Sequence, residues 1–438
     1  TYSFFWDQLE KSNLFLQGII DTAEKPMNDQ TVEWLFKHPL SDGGTFTGVA
    51  DIVGKYGLVP KEAMTETYSS EHTSLMSSLI GLKLKEYGLS LREMVQKGAS
   101  ASDLEKAKTE MLGTVYRMLA LNLGVPPTSF DYVRRDAQGR RVEVEHHTPM
   151  SFLEKYGDTG LLTNYVMVMN DPSREYYKCY EIEYDRHRYD GRNWTYVNLP
   201  VEEIKEMAIA SLKDSTRMYF SSDVTQLDAK RGYLDVDNYD YGSLFGVTFG
   251  MDKKQRIQTF ASMSAHAMTL MAVDLDKDGK PVKWMVENSW GAASGYQGHL
   301  IMTDRWFDEY MFRLVVETKY VPEKVMKLFK QKPIRLPAWD PMFAEPFVVT
   351  ARVLRLYRWS RRLRDRRRCC GGCARQPRGA RRPACSAGGS LRGFARPRWY
   401  RARGRSSSTR RRCRACRRRR GDRSTAGAKA GRGRRPRL

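Results

Sequence analysis

Apolar residues recur with helical spacing along the first part of the chain and predict at least two long helices. One such run covers residues 4–20. A second stripe consists of Leu112, Val115, Tyr116, Leu119 and Leu123. Residues three or four positions apart share one face of a helix, so each stripe can be buried against a core. Ser102 is the predicted N-cap of the second helix, because its hydroxyl can accept a hydrogen bond from an amide of the first turn.

Short runs rich in β-branched and aromatic residues follow between residues 140 and 260 and predict strands. The clearest of them are 142–145, 165–169 and 217–220. An amphipathic helix from Pro200 to Leu212 is predicted between the second and third runs, because acidic residues occupy its first turn. This mixture of helices and strands predicts an α+β fold with a helical lobe and a β-rich lobe.

A β-hairpin is predicted around the turn sequence Asp-Lys-Asp-Gly-Lys at 276–280. Segment 269–275 leads into this turn, and segment 282–286 returns from it. Residues at equal distances from a turn face each other in an antiparallel pair, so a register centred in the turn places His266 almost opposite Asn288. An imidazole beside a carboxamide is suited to general-base chemistry, because the carboxamide can fix the orientation and tautomer of the ring.

His266 also has a structural interpretation. A lone histidine at the start of an apolar strand is usually structural. Here Asn288 lies in register with it, and Trp290 follows two residues later. These two neighbours favour a catalytic role for His266.

Further sequence motifs lie on both sides of this hairpin. The motifs are His266-Ala267-Met268 and Glu287-Asn288-Ser289-Trp290-Gly291, with 244–246 and 249–252 before them and 304–310 after them. Together they resemble the bleomycin hydrolase and aminopeptidase C family, a group of papain-like cysteine peptidases. The resemblance begins at 4–11, continues through 56–60 and reaches 336–342, so it covers roughly residues 1–345. It implies a papain-like two-lobe fold with helical insertions at 59–123 and a substrate cleft between the lobes.

The resemblance assigns a role to each residue of the hairpin motif. It implies that His266 is the general base and the ion-pair partner of a thiolate. Asn288 would orient the imidazole, and Trp290 would shield the hydrogen bond between them from water. The resemblance therefore implies cysteine-type aminopeptidase activity on peptide substrates.

The stretch Asp42-Gly43-Gly44 resembles the family loop that lines the substrate cleft, where glycines allow a peptide backbone to approach closely. An ordinary turn is the alternative interpretation of these three residues. Family members often carry Gln-Trp after the glycines, whereas this chain has Thr45-Phe46. The side-chain preference of this wall is therefore left open.

The nucleophile of the family is not found in this sequence. The resemblance places an oxyanion-hole Gln and a nucleophilic Cys-Trp pair a few dozen residues before the stretch at 4–7, which lies upstream of Thr1. We therefore expect the sequence to begin within a domain and, as written, to be inactive. Cys179 is the only cysteine before residue 346, and its aromatic, strand-like surroundings differ from the helix amino terminus that favours a thiolate.

The composition changes abruptly near residue 346. Residues 346–438 hold 33 Lys or Arg and two acidic residues, a net charge of +31, which leaves −8 for residues 1–345 when subtracted from the +23 of the whole chain. Six of the seven cysteines also lie in this tail. A body with a single cysteine needs no disulfide and is expected in a reducing compartment, the cytoplasm.

Three interpretations of the tail are open. As a nucleic-acid arm, its Arg blocks would neutralise phosphates and bind in a strongly salt-dependent way. As a zinc module, it offers the pairs Cys370/Cys373 and Cys413/Cys416, although about forty residues separate them. As the product of out-of-frame translation of GC-rich DNA, it would have no selected function. Its composition predicts a disordered segment in each case.

Cofactors and membranes are not expected from the sequence. No metal-ligand spacing links His146, His147 and His187, and no phosphate loop or dinucleotide fingerprint occurs. No apolar run approaches the length of a membrane span. Peptide substrates are the expected partners, and the resemblance implies a homo-hexamer.

Overall fold

The structure is a computed structural model that describes residues 1–161, 163–224 and 232–342. Its α-helices are α1 (Tyr2–Asp21), α2 (Gln30–Lys37), α3 (Phe46–Tyr56), α4 (Tyr68–Glu71), α5 (Ser74–Gln96), α6 (Ala101–Leu123), α7 (Pro149–Tyr156), α8 (Val201–Lys213), α9 (Tyr241–Phe245), α10 (Lys253–Gln258), α11 (Asp304–Tyr310) and α12 (Glu323–Leu328). Its strands are β1 (Phe130–Arg135), β2 (Arg141–His147), β3 (Tyr165–Met169), β4 (Cys179–Ile182), β5 (Thr195–Asn198), β6 (Met218–Ser222), β7 (Tyr233–Leu234), β8 (His266–Leu275), β9 (Pro281–Glu287), β10 (His299–Thr303), β11 (Met311–Glu317) and β12 (Ile334–Leu336). Short 3-10 helices cover Lys61–Ala63 and Thr318–Tyr320.

The helical lobe is built around α1, which packs against both α5 and α6. The predicted apolar run at 4–20 is confirmed as α1. Its core side chains include Phe5, Phe15, Leu16, Ile19, Ile80, Leu84, Val115, Leu119 and Leu123. Three residues of the stripe predicted on α6 are thus buried, and Leu112 and Tyr116 pack at its margin.

The predicted N-cap of α6 is wrong by two residues. Ser100, rather than Ser102, is the N-cap, because its hydroxyl accepts from the amide of Asp103 and the Asp103 carboxylate accepts in return from the Ser100 amide. This reciprocal pair is a capping box, which satisfies two backbone donors at once. Ser102 lies exposed within the first turn.

The β-rich lobe contains a ten-stranded sheet in the order β12-β4-β5-β3-β11-β6-β8-β9-β10-β7, while β1 and β2 form a separate hairpin. The predicted strands at 142–145 and 165–169 are confirmed within β2 and β3, and the one at 217–220 is confirmed as β6, which begins one residue later. The predicted amphipathic helix is confirmed as α8, which packs on β11 and β8. Helices and sheet together confirm the α+β class.

The predicted hairpin is confirmed as β8 and β9, but its register differs from the expected one. Thr269 pairs with Glu287, and register shifts occur between Leu270 and Ala272 and again near the turn. Continuing this register would place Asn288 beside Met268, two residues from His266. β-Bulges insert extra residues into one strand, and the symmetric count from the turn did not include them.

Aromatic contacts connect the two lobes near strand β8, which carries His266. The ring of Phe46, at the start of α3, lies 5.5 Å from that of Tyr165 on β3 and 6.3 Å from that of Tyr219 on β6. The strand β6 then pairs with β8, so α3 and β8 share one neighbour.

None of the helices in the described ranges is long and apolar enough to cross a membrane. The predicted boundary near residue 346 and the paired cysteines of the tail lie outside the described residues.

Candidate active site

His266 begins strand β8 and is half-buried. Its register partner on the neighbouring strand β6 is Ser222. The His266 Nε2 lies 2.8 Å from the Asn288 Oδ1, so the two side chains predicted to meet do so. They meet across the shifted register because Asn288 lies one residue past the end of β9, where its amide donates to the Gly298 carbonyl at 2.9 Å.

The hydrogen bonds of Asn288 fix the tautomer of His266. The Asn288 Oδ1 also accepts from the Ser289 amide at 2.8 Å, and a carboxamide oxygen can only accept. His266 Nε2 therefore carries the proton and donates it to Asn288. The lone pair is then on the His266 Nδ1, which has no hydrogen-bond partner among the described residues. Asn288 Nδ2 is buried and likewise lacks a partner within the described part of the chain.

Trp290 lies against the imidazole. The ring centroids of His266 and Trp290 are 5.1 Å apart with an interplanar angle of 33°. Its indole remains 43% exposed, so it covers the ring without being enclosed itself. The following loop needs glycine at Gly295, because its φ is +60° and a Cβ there would lie 2.3 Å from the His299 carbonyl oxygen.

Two serines fix the segment that leads into β8, and sequence reasoning did not single them out. The Ser264 hydroxyl hydrogen-bonds that of Ser221 on β6. The Ser262 hydroxyl donates to the buried Asp223 carboxylate at 2.7 Å. Both partners lie about forty residues earlier in the chain, and a serine in a loop gives no local signal for such a pairing.

The loop Asp42-Gly43-Gly44 is exposed and precedes α3. The Asp42 carboxylate accepts from the Thr73 hydroxyl at 2.8 Å, which connects the loop to the start of α5. Neither glycine has a positive φ. A Cβ at Gly44 would meet its nearest neighbour, His187, at 3.6 Å, an ordinary contact. No backbone or packing requirement within the described residues explains a glycine at position 44.

Cys179 lies on β4, the strand next to the β12 edge of the sheet, with its side chain among the buried residues of the core. Burial raises the pKa of its thiol, and the nearby Glu181 carboxylate raises it further. A buried, protonated thiol is a poor nucleophile. The structure thus gives no support to Cys179 as a substitute for the family cysteine.

Three further histidines, His146, His147 and His187, each lie against a carboxylate. His146 is exposed and lies 2.9 Å from the Asp131 carboxylate, while His147 is buried and lies 2.9 Å from that of Glu145. His187 is buried against Asp7, a contact that its charged sequence neighbourhood did not indicate. Among the described residues, no group of three or more His, Cys, Asp or Glu side chains is arranged to hold a metal ion.

Comparison with known proteins identifies the family. The profile of the Peptidase C1-like family matches residues 1–343. Aminopeptidase C of Lactobacillus delbrueckii subsp. lactis is 39% identical over 353 residues, which cover 79% of this chain and 78% of that protein. Bleomycin hydrolase of Homo sapiens is 36% identical over 353 residues, 78% of each chain. The crystal structure of PepW from Lactobacillus rhamnosis matches with a TM-score of 0.75 and 39% identity over 78% of each chain. The chain therefore belongs to the Peptidase C1-like family, with the papain-like fold that its sequence predicted, among the cysteine peptidases related to aminopeptidase C and bleomycin hydrolase.

Proposed function

We propose that this chain carries the histidine and asparagine of a Cys-His-Asn aminopeptidase. The observation that carries the proposal is the hydrogen bond from His266 Nε2 to Asn288 Oδ1. This bond leaves a lone pair on Nδ1, at the edge of the half-buried ring. A base held in one tautomer by an amide oxygen is suited to take a proton from a thiol. Trp290 would keep water from the bond between His266 and Asn288.

The chemical role of His266 follows from this tautomer. A thiol placed at Nδ1 would transfer its proton to the imidazole and give a thiolate–imidazolium pair. The thiolate attacks the scissile carbonyl, and His266 then protonates the leaving amine as the C–N bond breaks and a thioester forms. Water, deprotonated by the same Nδ1, hydrolyses the thioester and regenerates the thiol.

The thiol itself would come from residues outside this sequence. Cys179, the single cysteine before residue 346, is buried, and burial raises the pKa of its thiol. Asn288 Nδ2, which has no partner within the described residues, adds a second open group at the site. The chain as written is therefore expected to be inactive on its own. Supplying a segment with the family Gln and Cys-Trp motif at the amino terminus should restore activity.

The test is a fusion of the family's amino-terminal segment to Thr1, assayed with aminoacyl and amino-terminally blocked peptide substrates. We expect cleavage of the free amino-terminal substrates only. His266→Ala in the fusion should lower kcat by at least about 10²-fold, because general acid–base catalysis contributes about 10²- to 10⁴-fold. His146→Ala is the matched control, since His146 is exposed and distant in sequence from the hairpin. Activity that survives His266→Ala would disprove the assignment.

The resemblance to the family also implies a carboxyl-terminal arm, at about 336–344, that lies in the active-site cleft so that only a free amino terminus of the substrate fits. Residues up to 342 of this arm are described, and the aminopeptidase preference is proposed from it. Asp340 and Met342 are buried, and Arg174 and Arg313 hold the arm through the Asp340 carboxylate and the Met342 carbonyl. An arm anchored so firmly could restrict a cleft to substrates with a free amino terminus. Deleting the residues after Leu336 in the fusion, which keeps β12, should then allow cleavage of blocked peptides.

The proposal includes a cytoplasmic, homo-hexameric enzyme acting on peptides. The reduced Cys179 and the absence of any other cysteine before residue 346 favour a reducing compartment. Sedimentation of the fusion would test the hexamer directly. A monomer at micromolar concentration would reject it.

A second candidate function rests on the charge of residues 346–438. Their net charge of +31 beside a body of −8 favours attachment to nucleic acid by phosphate neutralisation. Binding of a labelled DNA duplex at increasing salt, compared between the full chain and residues 1–345, would test it. Tight, salt-dependent binding by the full chain alone would support a binding protein. Equal, negligible binding by both would reject that function.

A further inference from the structure

His187 lies in the chain segment that connects β4 to β5, and its side chain is tightly packed. It belongs to a charged run in the sequence, yet its side chain is only 5% exposed. The ring lies directly on the backbone of α3, because a Cβ at Gly48 would be 2.1 Å from its Cδ2. Any larger residue at position 48 would displace the imidazole, so the ring and the first turn of α3 are positioned together.

The hydrogen bonds of His187 define which nitrogen carries the proton. The Thr45 amide donates to the His187 Nε2 at 3.2 Å, so Nε2 must present a lone pair. The proton therefore lies on Nδ1, which donates to the Asp7 carboxylate. Although burial opposes it, the Lys11 ammonium and the hydrogen bond from His187 hold the pKa of Asp7 well below its usual range. Asp7 is thus a carboxylate that can keep the ring in this tautomer.

The same face of α1 also holds the start of the loop. Lys11 Nζ forms an ion pair with Asp7 at 2.9 Å and donates to the carbonyls of Ser41, at 3.1 Å, and Gly43. Gln8 donates to the Ser41 carbonyl as well, at 2.8 Å. The loop is therefore held at 41 and 43 by α1 and at 45 by His187.

The set Asp7, His187 and Thr45 has the order of a hydrolytic triad, but its geometry indicates a positioning function. The Thr45 hydroxyl lies 3.4 Å from Nε2, farther than its own amide, and accepts from the Gly48 amide at 3.3 Å as the N-cap of α3. The nearly complete burial of His187 leaves no room for a reacting carbonyl. A nucleophilic role for Thr45 is therefore not supported.

The loop is connected to the candidate active site through the next residue. Phe46 follows Thr45 and contacts Tyr219 on β6. The same strand pairs through Ser222 with His266. A shift of the Thr45 amide would therefore move the exposed glycines relative to the imidazole of His266.

We propose that His187 is a positioning residue for the substrate-facing loop 42–44, acting through its hydrogen bond with the Thr45 amide while Asp7 holds the ring. The inference rests on the proposed function, in which this loop lines the substrate cleft. Lys11, which pairs with Asp7, adds support through the carbonyls of Ser41 and Gly43.

Two substitutions separate the hydrogen bonds of His187. In His187→Gln the amide oxygen can reach the position of Nε2 and still accept from Thr45. In His187→Asn the shorter amide can reach only the position of Nδ1 and so retains a donor for Asp7. His146→Asn is the matched control, because its ring is exposed and bonded to one carboxylate.

Hydrogen exchange at residues 42–46, measured in the full chain without the fused amino-terminal segment, provides the first readout. We expect His187→Asn to accelerate exchange there by about 10-fold and His187→Gln to change it by less than about 3-fold. Unchanged exchange in His187→Asn, or equal acceleration in both variants, would overturn the proposal. If His187→Asn does not fold, His187→Gln alone decides, since lost protection at 42–46 would contradict it.

Kinetics of the amino-terminal fusion provide the second readout. His187→Asn should raise KM by about 5- to 10-fold with kcat within about 2-fold, and His187→Gln should restore KM. A fall in kcat at constant KM would contradict a positioning role in substrate binding. If the unsubstituted fusion is inactive, the proposed function fails, whereas the exchange experiment still decides the role of His187.

Discussion

Two histidines of this chain each contact a side-chain oxygen, yet they differ in how many ring nitrogens are used. His266 donates from Nε2 to Asn288, and its Nδ1 is without a partner among the described residues. His187 uses both nitrogens, Nδ1 toward the Asp7 carboxylate and Nε2 as acceptor for the Thr45 amide. His266 is also half-buried, while the His187 side chain is 5% exposed.

This difference separates a group suited to chemistry from one suited to support. A base must have a lone pair that a substrate or nucleophile can reach, and only His266 meets that condition. A carboxylate partner, often taken as a sign of catalysis, is found at His187 instead. Accessibility of the second nitrogen therefore discriminates better here than the identity of the first partner.

Asn288→Ala tests the proposed catalytic role of His266 and should have the largest effect on activity. The substitution removes the group that fixes the tautomer of His266, so kcat of the amino-terminal fusion should fall about 10- to 100-fold. The stability of the chain should change little, because the Asn288 Nδ2, buried and without a partner in the described part of the chain, is removed together with the lost hydrogen bond.

Steady-state kinetics and thermal melting of the same preparation check both statements. Asn193→Ala is a control, because its amide donates to Glu181 at 3.2 Å in the connection before β5. Full activity in Asn288→Ala would mean that the imidazole needs no orienting partner.

His187→Ala tests the structural role of His187 and can be measured in the chain without the fused amino-terminal segment. The buried Asp7 carboxylate would lose its hydrogen bond with His187, so the free energy of unfolding should fall by about 2–4 kcal/mol. His266→Ala should change it by less than about 0.5 kcal/mol, as expected for a half-buried group with one hydrogen bond. Urea unfolding of both variants measures the difference. Equal losses would remove the distinction between the two histidines.

Features encoded by neighbouring residues could be predicted from the sequence. The periodicity of α1, the composition of β3 and the first-turn acids of α8 are local signals, and each predicted element was found. The meeting of His266 and Asn288 was predicted as well, from a hairpin whose turn residues are contiguous. Family resemblance added the roles of these residues, which no spacing could supply.

Features that depend on distant partners could not be predicted. The register shift between Leu270 and Ala272 lies within the strands, away from the turn residues on which the symmetric count was based. The bond between Asp7 and His187 spans 180 positions in the sequence, and neither residue has a local signal for it. The N-cap of α6 was missed for a smaller reason, since Ser100 and Ser102 are equivalent caps until the reciprocal bond with Asp103 is considered.

Acid unfolding tests how much the Asp7 carboxylate beside His187 contributes to stability, and we expect a moderate effect. The folded pKa of Asp7 lies below that of an unfolded Asp, near 4, so the folded state binds fewer protons. The stability that Asp7 contributes is therefore present above about pH 4 and is lost as the pH falls further. Asp7→Asn should be less stable than the parent at pH 7, and the difference should shrink steadily as the pH falls below about 4.

Denaturant midpoints from pH 7 downward test this convergence. Asp131→Asn is the control, because its carboxylate is 68% exposed beside an exposed histidine. A constant difference between Asp7→Asn and the parent at all pH values would show that the Asp7 charge does not support the loop.

Gly44→Ala should have the smallest effect on stability and decides whether the loop faces substrate. A Cβ at this position meets no atom closer than 3.6 Å and φ is not positive, so the free energy of unfolding should change by less than about 0.5 kcal/mol. If a peptide backbone approaches the loop, the added methyl group should raise KM of the fusion about 10-fold. Gly113→Ala is the matched control, because position 113 lies in α6 with no atom within 4 Å of a new Cβ. An unchanged KM would leave the loop an ordinary turn and would restrict the role of His187 to packing.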